Sequence, residues 1–401
     1  MNTKRKRILF ISDSLGLGHV NRDLAIAAEL RRQNPDIELS WLAAPPASLV
    51  IENAGEVLLP QNDLFSNCNT PAEKAAEHFG LNLVKYVFTA RKAWERNARL
   101  IEEVSSRERF DLVIGEETYE VVLALAAGKI RLDVPFVMIY DFLGLDVMSG
   151  SIIEKLGMYN VNRQWCQDFK VFREAQNLAL FVGEPEDIED KTFGHFLPNR
   201  REHARKYYHF VGYVLHFDPA DFADRPKIRS ELGYGPETLV VCSIGGTSVG
   251  KNLLELCGQA YPIIKEKVPD LRMVIVCGPR LSADSLRIPP GPIVREYVQD
   301  LYRHHACCDL AILQGGGTAT LELTALRRPF LYFPLAGHCE QINSVAARLA
   351  RHRAGVRMSY EDTTPELLAN QVIANLGQKT DYAAVRTNGA AEAARLISLR
   401  I

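Results

Sequence analysis

Short apolar runs of strand length alternate with segments of helical periodicity along most of the chain. This alternation is typical of parallel sheets that are covered by helices on both faces. In the first half it predicts strands at 7–12, 37–43, 56–59, 110–115, 134–140, 178–182 and 208–212. In the second half it predicts strands at 238–244, 271–277, 293–297, 309–313, 329–333 and 355–358. The pattern therefore favours an α/β protein with doubly wound, Rossmann-like sheets.

A cluster of turn residues interrupts the alternation near the middle of the chain. Residues 213–237 concentrate glycine, proline and aspartate, and the chain of 401 residues is too long for one ordinary core. We predict a first Rossmann-like domain at 1–215, a linker at 216–237 and a second Rossmann-like domain at 238–401, with a cleft between the domains. The last helix is free to pack back on the first domain.

Charge and cysteine usage exclude several classes of protein. The 47 basic residues nearly balance the 49 acidic ones, so no global field favours nucleic acid. The basic runs at 4–7 and 200–206 are candidate membrane or substrate contacts. The eight cysteines lack metal or redox spacing, and no signal segment or spanning run is present. We expect a reduced, cytoplasmic protein whose membrane contact, if any, is peripheral.

The most informative segment follows the strand predicted at 309–313. Gly315, Gly316 and Gly317 let the backbone approach a pyrophosphate, and a helix that begins near Thr318 points its unpaired amides at that charge. Further along this segment, Glu322 is placed to accept hydrogen bonds from ribose hydroxyls. Glu340 and Gln341, after the next strand, are placed to do the same for a hexose. Each part suits a nucleotide-sugar.

A second loop of this kind follows the strand predicted at 238–244. The amides of Gly245 and Gly246 and the hydroxyls of Thr247 and Ser248 are candidate phosphate ligands, although the glycines also suit a plain strand-to-helix turn. The Walker pattern is absent, because the glycine and lysine at 250–251 are followed by asparagine.

The first turn of the chain carries a candidate base. Gly16 and Gly18 form a tight loop after the first strand, and His19 stands at the start of a helix. The third glycine and the acidic residue of a dinucleotide-binding fingerprint are missing. A histidine at a helix N-terminus is expected to be held neutral by the helix dipole, which is the form that a general base needs. The alternative is a capping or packing histidine.

These loops resemble those of the UDP-sugar glycosyltransferases of the GT-B fold. That group contains the peptidoglycan lipid N-acetylglucosaminyltransferase and the glucosyl- and glucuronosyltransferases. The resemblance implies that His19 deprotonates the acceptor and that an acidic residue after a later strand holds the imidazole. Glu116 falls closest to that position, but the family usually has aspartate, and Glu117 or neither residue remains an alternative.

The resemblance also implies further donor contacts, with Gly18 among the donor-binding residues. Tyr297 stands where many relatives carry a tryptophan that stacks on uracil, and the Val298 backbone would pair with the base edge. Gln314 replaces a histidine near the phosphates, and Arg280 is placed to reach a phosphate. Tyr297 suits an ordinary core position equally well, and a lone arginine such as Arg280 usually stays solvated.

We therefore predict a metal-independent, inverting glycosyltransferase. It would move a hexose or N-acetylhexosamine from a UDP-sugar to a hydroxyl acceptor that the sequence does not identify. No cofactor beyond this co-substrate is expected, and no Asp-x-Asp motif favours a metal. Two alternatives stay open. Residues 16–22, Gly-x-Gly-His-x-x-Arg, also resemble UDP-sugar hydrolases of nonulosonate pathways, and a non-catalytic nucleotide-sugar-binding protein would retain the same donor segment.

Overall fold

The structure, a computed structural model, describes residues 5–12, 17–67, 83–148, 151–246 and 248–401. These residues form two compact units. The first unit contains the described residues up to position 216 together with 386–401, and the second contains the described residues of 217–385.

The first unit is built on a six-stranded, all-parallel sheet with the order β2-β1-β3-β4-β5-β6. Its strands are β1 (Lys6–Ile11), β2 (Ile37–Leu42), β3 (Leu112–Glu116), β4 (Phe136–Tyr140), β5 (Leu178–Val182) and β6 (His209–Gly212). Its helices are α1 (Leu17–Gln33), α2 (Ala47–Asn53), α3 (Leu83–Glu108), α4 (Tyr119–Ala126), α5 (Ile152–Trp165), α6 (Phe169–Phe172), α7 (Arg200–Tyr207) and α14 (Gly389–Ser398), with 3-10 turns at Pro60–Leu64 and Pro185–Asp187.

Helices cover both faces of this sheet, which is why its strands are apolar at consecutive positions. In β1, Ile8 and Phe10 belong to one buried cluster, whereas Leu9 and Ile11 belong to another on the opposite face. Successive side chains of a strand point to opposite faces, so a strand that is buried on both sides cannot alternate with polar residues.

The C-terminal helix α14 packs on helix α1 of the first unit. Its entry is held by backbone hydrogen bonds from Tyr213 N to Arg386 O and from Gly389 N to Tyr213 O, both 3.0 Å long. Glycine is required at 389, because a Cβ atom there would lie 2.6 Å from the Tyr213 carbonyl oxygen. The chain therefore returns to its first unit at its end.

The second unit contains another six-stranded parallel sheet, with the order β12-β11-β10-β7-β8-β9. Its strands are β7 (Leu239–Ser243), β8 (Arg272–Val276), β9 (Ile293–Arg295), β10 (Leu310–Gln314), β11 (Phe330–Phe333) and β12 (Val356–Arg357). Its helices are α8 (Arg225–Glu231), α9 (Lys251–Lys267), α10 (Leu301–Cys307), α11 (Gly317–Ala325), α12 (Ala346–His352) and α13 (Pro365–Asn375), with a π-helix at Glu340–Val345 and 3-10 turns at Pro219–Phe222 and Ala283–Ser285.

Part of the segment at 216–237 is helical and is tied to the second unit. Arg225 Nη2 and Arg229 Nη2 of helix α8 donate to the two carboxylate oxygens of Asp309, at 2.8 and 2.7 Å. Asp309 also accepts the backbone N–H of Leu239 at 2.8 Å. Helix α8 is therefore fixed to the starts of strands β7 and β10.

The predicted strands are confirmed with small shifts at their ends, except the one at 56–59. There the chain makes only an isolated bridge between Leu58 and Trp41. Pro60 opens a 3-10 turn directly afterwards, and proline cannot donate to a ladder. In helix α1 the small apolar residue Ala28 is exposed, whereas the ionisable residues Arg22 and Asp23 are buried.

Each sheet has a point at which the strand order reverses. In the first sheet it lies between β1 and β3, and in the second between β7 and β10. Loops at the carboxyl ends of such neighbouring strands form the usual ligand crevice of open α/β sheets. Within the residues that the structure describes, no helix is both long enough and apolar enough to cross a bilayer.

Candidate functional site

His19 lies at the reversal point of the first sheet. It is the third residue of helix α1, which follows strand β1, and Glu116 is the last residue of the neighbouring strand β3. Nδ1 of His19 is 2.7 Å from Oε1 of Glu116. It is 3.6 Å from Oε2 of Glu117, so Glu116 is the direct partner. Gly16 lies outside the described residues, whereas Gly18 is described and belongs to the first turn of the helix.

Arg22, one turn further along helix α1, is a member of the same cluster. Its guanidinium donates from Nη1 to Oδ2 of Asp141 at 3.0 Å and from Nη2 to Oε1 of Glu116. Nη2 is also 2.9 Å from Nδ1 of His19. Because guanidinium nitrogens only donate, Arg22 and a protonated Nδ1 converge on the same oxygen of Glu116. Glu116 thereby fixes the tautomer in which Nε2 is the nitrogen left for a substrate.

The surroundings of His19 overturn the expectation that its imidazole is neutral. Burial lowers the pKa of His19, but the charge of Glu116 and the hydrogen bond to it outweigh burial and raise the pKa to about 10. A helix dipole contributes only about 0.3–1 kcal/mol at an exposed position. A carboxylate in direct contact is the stronger influence, so the imidazole is protonated at neutral pH in the unliganded protein.

The carboxyl groups around His19 divide into charged and neutral ones. Burial favours the neutral acids, but the charges of His19 and Arg22 lower the pKa of Glu116, and Arg22 does the same for Asp141. Burial and the charge of Asp141 raise the pKa of Glu117 far above its usual range. His19 and Arg22 thus face the carboxylates of Glu116 and Asp141, and the raised pKa of Glu117 favours its neutral form.

Glu117 adopts an uncommon backbone conformation to join this cluster. Its φ is +49°, in the left-handed region that non-glycine residues seldom occupy. Adjacent strand residues point to opposite faces, so an extended chain would direct Glu116 and Glu117 away from each other. The left-handed turn instead keeps Glu117 beside Asp141. The Tyr119 hydroxyl donates to Oε1 of Glu117 at 3.2 Å. Strained residues of this kind cluster at functional sites.

Four of these residues have the composition of a metal site. Donor atoms of His19, Glu116, Glu117 and Asp141 lie within 4.8 Å of one another. The guanidinium of Arg22, however, already bonds Glu116 and Asp141 from within the same group. A fixed cation therefore neutralises the carboxylates that an ion would need.

Two members of the cluster were not identified from the sequence. Arg22 was named only as part of a motif, and Asp141 was not predicted to contribute. Asp141 directly follows the buried strand β4, which neighbours β3. An acid at the carboxyl end of a strand beside the site is the signal that could have identified it.

In the second unit, the predicted phosphate loops lie side by side. Gly245 and Gly250, with φ of +83° and +108°, turn the chain between strand β7 and helix α9. The amide of Gln314, at the end of β10, donates to the Val249 carbonyl, so Gln314 ties the loop to the neighbouring strand. Gly246 and Ser248 belong to this loop, and Thr247 lies outside the described residues.

The three glycines after β10 face different surroundings. A Cβ atom at Gly315 would lie 3.0 Å from Cα of Pro334, and one at Gly317 would lie 3.3 Å from Oε1 of Glu340. At Gly316 it would meet nothing within 4 Å. Gly315 is thus held close to the Pro334 backbone and Gly317 close to the Glu340 side chain, while Gly316 leaves open space beside the start of helix α11, where Thr318 is the second residue.

The predicted sugar-binding residues differ in how firmly the protein holds them. Glu322 is nearly buried on helix α11, with its Oε2 atom 3.9 Å from Nδ1 of His305. Gln341 is buried, and its Oε1 accepts the Leu335 N–H at 2.9 Å. Glu340 is partly exposed at the start of the π-helix. Gln341 thus has a structural role, and Glu340 is the more accessible of the pair.

The remaining predicted donor residues follow the carboxyl ends of strands β8 and β9. Tyr297 follows strand β9 and is 47% exposed, which excludes the reading of an ordinary core aromatic. Val298 and Arg280 are partly buried. Gly278, just before Arg280, has a φ of +83° and packs directly against the Gly245 carbonyl. The loops after β7 and β8 are therefore in backbone contact.

Comparison with known proteins finds a family match for the C-terminal part of the chain and relatives that cover half or nearly all of it. Residues 240–400 match the glycosyltransferase family 28 C-terminal domain. An uncharacterised glycosyltransferase of Methanopyrus kandleri is 25% identical over 191 residues, which cover 47% of this chain and 53% of that relative. The UDP-N-acetylglucosamine–N-acetylmuramyl-(pentapeptide) pyrophosphoryl-undecaprenol N-acetylglucosamine transferase of Clostridioides difficile is 24% identical over 396 residues, or 95% of this chain and 85% of that one.

Solved structures share the fold over nearly the full length. The glycotransferase of kitacinnamycin superposes with a TM-score of 0.63 at 15% identity, covering 99% of each chain. The glycosyltransferase SnogD from Streptomyces nogalater gives 0.56 at 16% identity, covering 99% of this chain and 100% of that one. At such low identity the likeness concerns the fold alone, and it confirms the predicted GT-B architecture.

Proposed function

This chain is a glycosyltransferase of the GT-B fold, and we propose that it transfers a hexose or N-acetylhexosamine from a UDP-sugar to a hydroxyl acceptor. One observation supports this most strongly. The glycines at 315–317, the start of helix α11 and Glu322 meet at the reversal point of the second sheet, inside the region that matches the family 28 domain. The relative from Clostridioides difficile, by its name, takes UDP-N-acetylglucosamine.

The proposed reaction is a single displacement with inversion. The acceptor oxygen attacks the anomeric carbon, its proton passes to Nε2 of His19, and the bond from that carbon to the UDP oxygen breaks. Glu116 holds Nδ1–H and stabilises the imidazolium that results. Since the free imidazole is already protonated at neutral pH, it must first lose a proton. We propose that the rate of transfer therefore falls as the pH is lowered.

No metal ion is needed in this proposal. The leaving UDP carries negative charge, and we propose that the backbone amides of Gly245, Gly246 and Ser248 and the N-terminal amides of helix α11 stabilise it. In the first unit, Arg22 already supplies the fixed positive charge beside His19. The positively charged helix end takes the role that a divalent cation has in other transferases.

Turnover with an acceptor pool tests the function. We expect UDP to be released from a UDP-sugar only when a cell extract supplies acceptors, and an excess of EDTA to leave the rate unchanged. UDP release without acceptor would instead establish a hydrolase, in which His19 activates water. Binding without release in either condition would establish a nucleotide-sugar sensor. Release that depends on an added divalent ion would contradict the metal-free mechanism.

We further propose that helix α5 contacts a membrane surface peripherally. Ile152, Ile153 and Leu156 in its first turns are 73%, 71% and 62% exposed. The exposed charged residues of this helix, Lys155 and Arg163, are both basic. Apolar side chains flanked by basic ones suit an anionic bilayer. The run at 200–206 is a weaker candidate than predicted, because several of its arginines pair with acids and Arg200 is buried.

Sedimentation with vesicles checks this contact. We expect the protein to bind vesicles that contain phosphatidylglycerol and to be released by salt. Replacing Ile152, Ile153 and Leu156 together by serine should weaken binding by roughly tenfold or more, because the inserted apolar area is lost. The matched control replaces three other exposed leucines of the first unit, Leu49, Leu64 and Leu399, by serine. Equal loss in both triple variants would contradict a specific role for helix α5.

A further inference from the structure

His305 is a fully buried histidine on helix α10 of the second unit. Its side chain is 0% exposed, and neither Nδ1 nor Nε2 has a hydrogen-bond partner in the described part of the chain. The adjacent His304 differs, since its Nδ1 meets the Tyr234 hydroxyl at 2.6 Å. Buried polar groups are almost always hydrogen-bonded, and an unmade bond costs about 1–3 kcal/mol. The position of His305 therefore calls for an explanation.

The surroundings of His305 point to Glu322. His305 lies on helix α10, which packs against helix α11, and its Nδ1 is 3.9 Å from Oε2 of Glu322. This separation is longer than a hydrogen bond, so a bond between the two side chains requires one of them to move. Helix α10 begins just after Tyr297 and Val298, the residues predicted to bind the base. His305 thus connects the base-binding stretch to the carboxylate predicted to bind the ribose.

We propose that His305 is a positioning residue for Glu322. Its Nδ1–H holds one carboxylate oxygen when the nucleotide is bound, so that the other oxygen is directed to the ribose hydroxyls. The buried ring nitrogen is kept because it orients a ligand-binding group. The inference rests on the proposed function, since it takes Glu322 as a ligand of the nucleotide.

Two nearly isosteric substitutions separate polarity from packing at this position. Asparagine places its amide nitrogen two bonds from Cβ, as histidine places Nδ1, whereas leucine has the same branching without a donor. We expect His305→Leu to weaken UDP binding by roughly five- to tenfold, and His305→Asn to stay within about twofold of the parent. In turnover, His305→Leu should raise the donor KM and leave kcat unchanged.

A double-mutant cycle identifies the partner. If His305 acts through Glu322, the effect of His305→Leu on UDP affinity should shrink below about twofold in a Glu322→Gln background. An equal loss in both backgrounds, or equal losses for the leucine and asparagine variants, would overturn the proposal. Thermal unfolding of each variant controls for the fold, because a purely structural role would lower the melting temperature without this coupling.

Failure of the proposed function is distinguishable from failure of this inference. If the parent protein binds no UDP, the donor assignment is wrong. The free energies of unfolding of the parent, His305→Leu, Glu322→Gln and the double variant then test the contact without ligand. Non-additive losses for His305→Leu and Glu322→Gln would support the contact between the two side chains, and strictly additive losses would overturn it.

Discussion

Replacing His19 by alanine is expected to reduce the chemical step by about 10² to 10⁴-fold, the usual worth of a positioned general base. UDP-sugar affinity should stay close to that of the parent, because all the predicted donor residues except Gly18 lie in the second unit. Single-turnover kinetics and calorimetry with the UDP-sugar would measure the two effects separately. A His19→Ala protein that retains full turnover would exclude His19 as the base and leave it with a structural role.

The pH profile of the parent gives a sharper form of this prediction. A base whose pKa is raised to about 10 is deprotonated only in a small fraction at neutral pH. In the parent, kcat/KM should therefore rise with pH well beyond the usual histidine range, up to about 10. This rise of kcat/KM with pH, the alkaline limb of the profile, should be absent in His19→Ala.

Glu116→Gln is the matched control for the cause of that pKa. It removes the carboxylate that raises the pKa of His19 and keeps an amide oxygen for Nδ1–H. The alkaline limb should then move to lower pH, and the maximal rate should fall less than in His19→Ala. A limb that stays in place would show that Glu116 does not control the imidazole.

Replacing Glu322 by glutamine is expected to weaken UDP and the intact UDP-sugar together, by roughly 1.5 to 3 kcal/mol. This is the worth of charge-assisted hydrogen bonds from the ribose hydroxyls to a carboxylate. Calorimetric titration of both ligands would measure it. An unchanged affinity for UDP would remove Glu322 from the nucleotide site.

Glu340→Ala provides the comparison on the sugar side. It should weaken the UDP-sugar and leave UDP almost unchanged, because the predicted contact is with the hexose. Gln341→Ala is a poorer probe than the sequence suggested, since Gln341 also accepts the Leu335 N–H and its loss would disturb the backbone. Equal losses of UDP and UDP-sugar in Glu340→Ala would place the sugar elsewhere.

The positions of the glycine loops in the second unit could be predicted because their signals are local. Glycines at 315–317, a helix start and Glu322 follow one another within a single strand–turn–helix unit. In parallel sheets all such turns lie at one edge, so the pattern of strands was enough to bring the loops after β7 and β10 together. The exposure of Tyr297 depends on tertiary packing, and the bond from the Leu335 N–H to Gln341 depends on the conformation of the intervening turn, so neither could be predicted this way.

The acceptor side shows the limit of local reasoning. The helix N-terminus suggested a neutral His19, but Glu116, 97 positions away, is in direct contact and reverses that charge state. Which of Glu116 and Glu117 contacts His19 depended on the left-handed backbone of Glu117, and the residue types do not specify that conformation. Arg22 and Asp141 meet only because β3 and β4 are neighbours.

By itself, then, the sequence determined the order of elements, the two Rossmann-like sheets and the loops that carry the chemistry, because periodicity and turn residues act over a few positions. Tertiary structure decided which side chains meet at those loops and which of them are charged. Burial and ion pairing depend on residues far apart in the chain, and these contacts set the pKa of His19 and leave His305 facing Glu322.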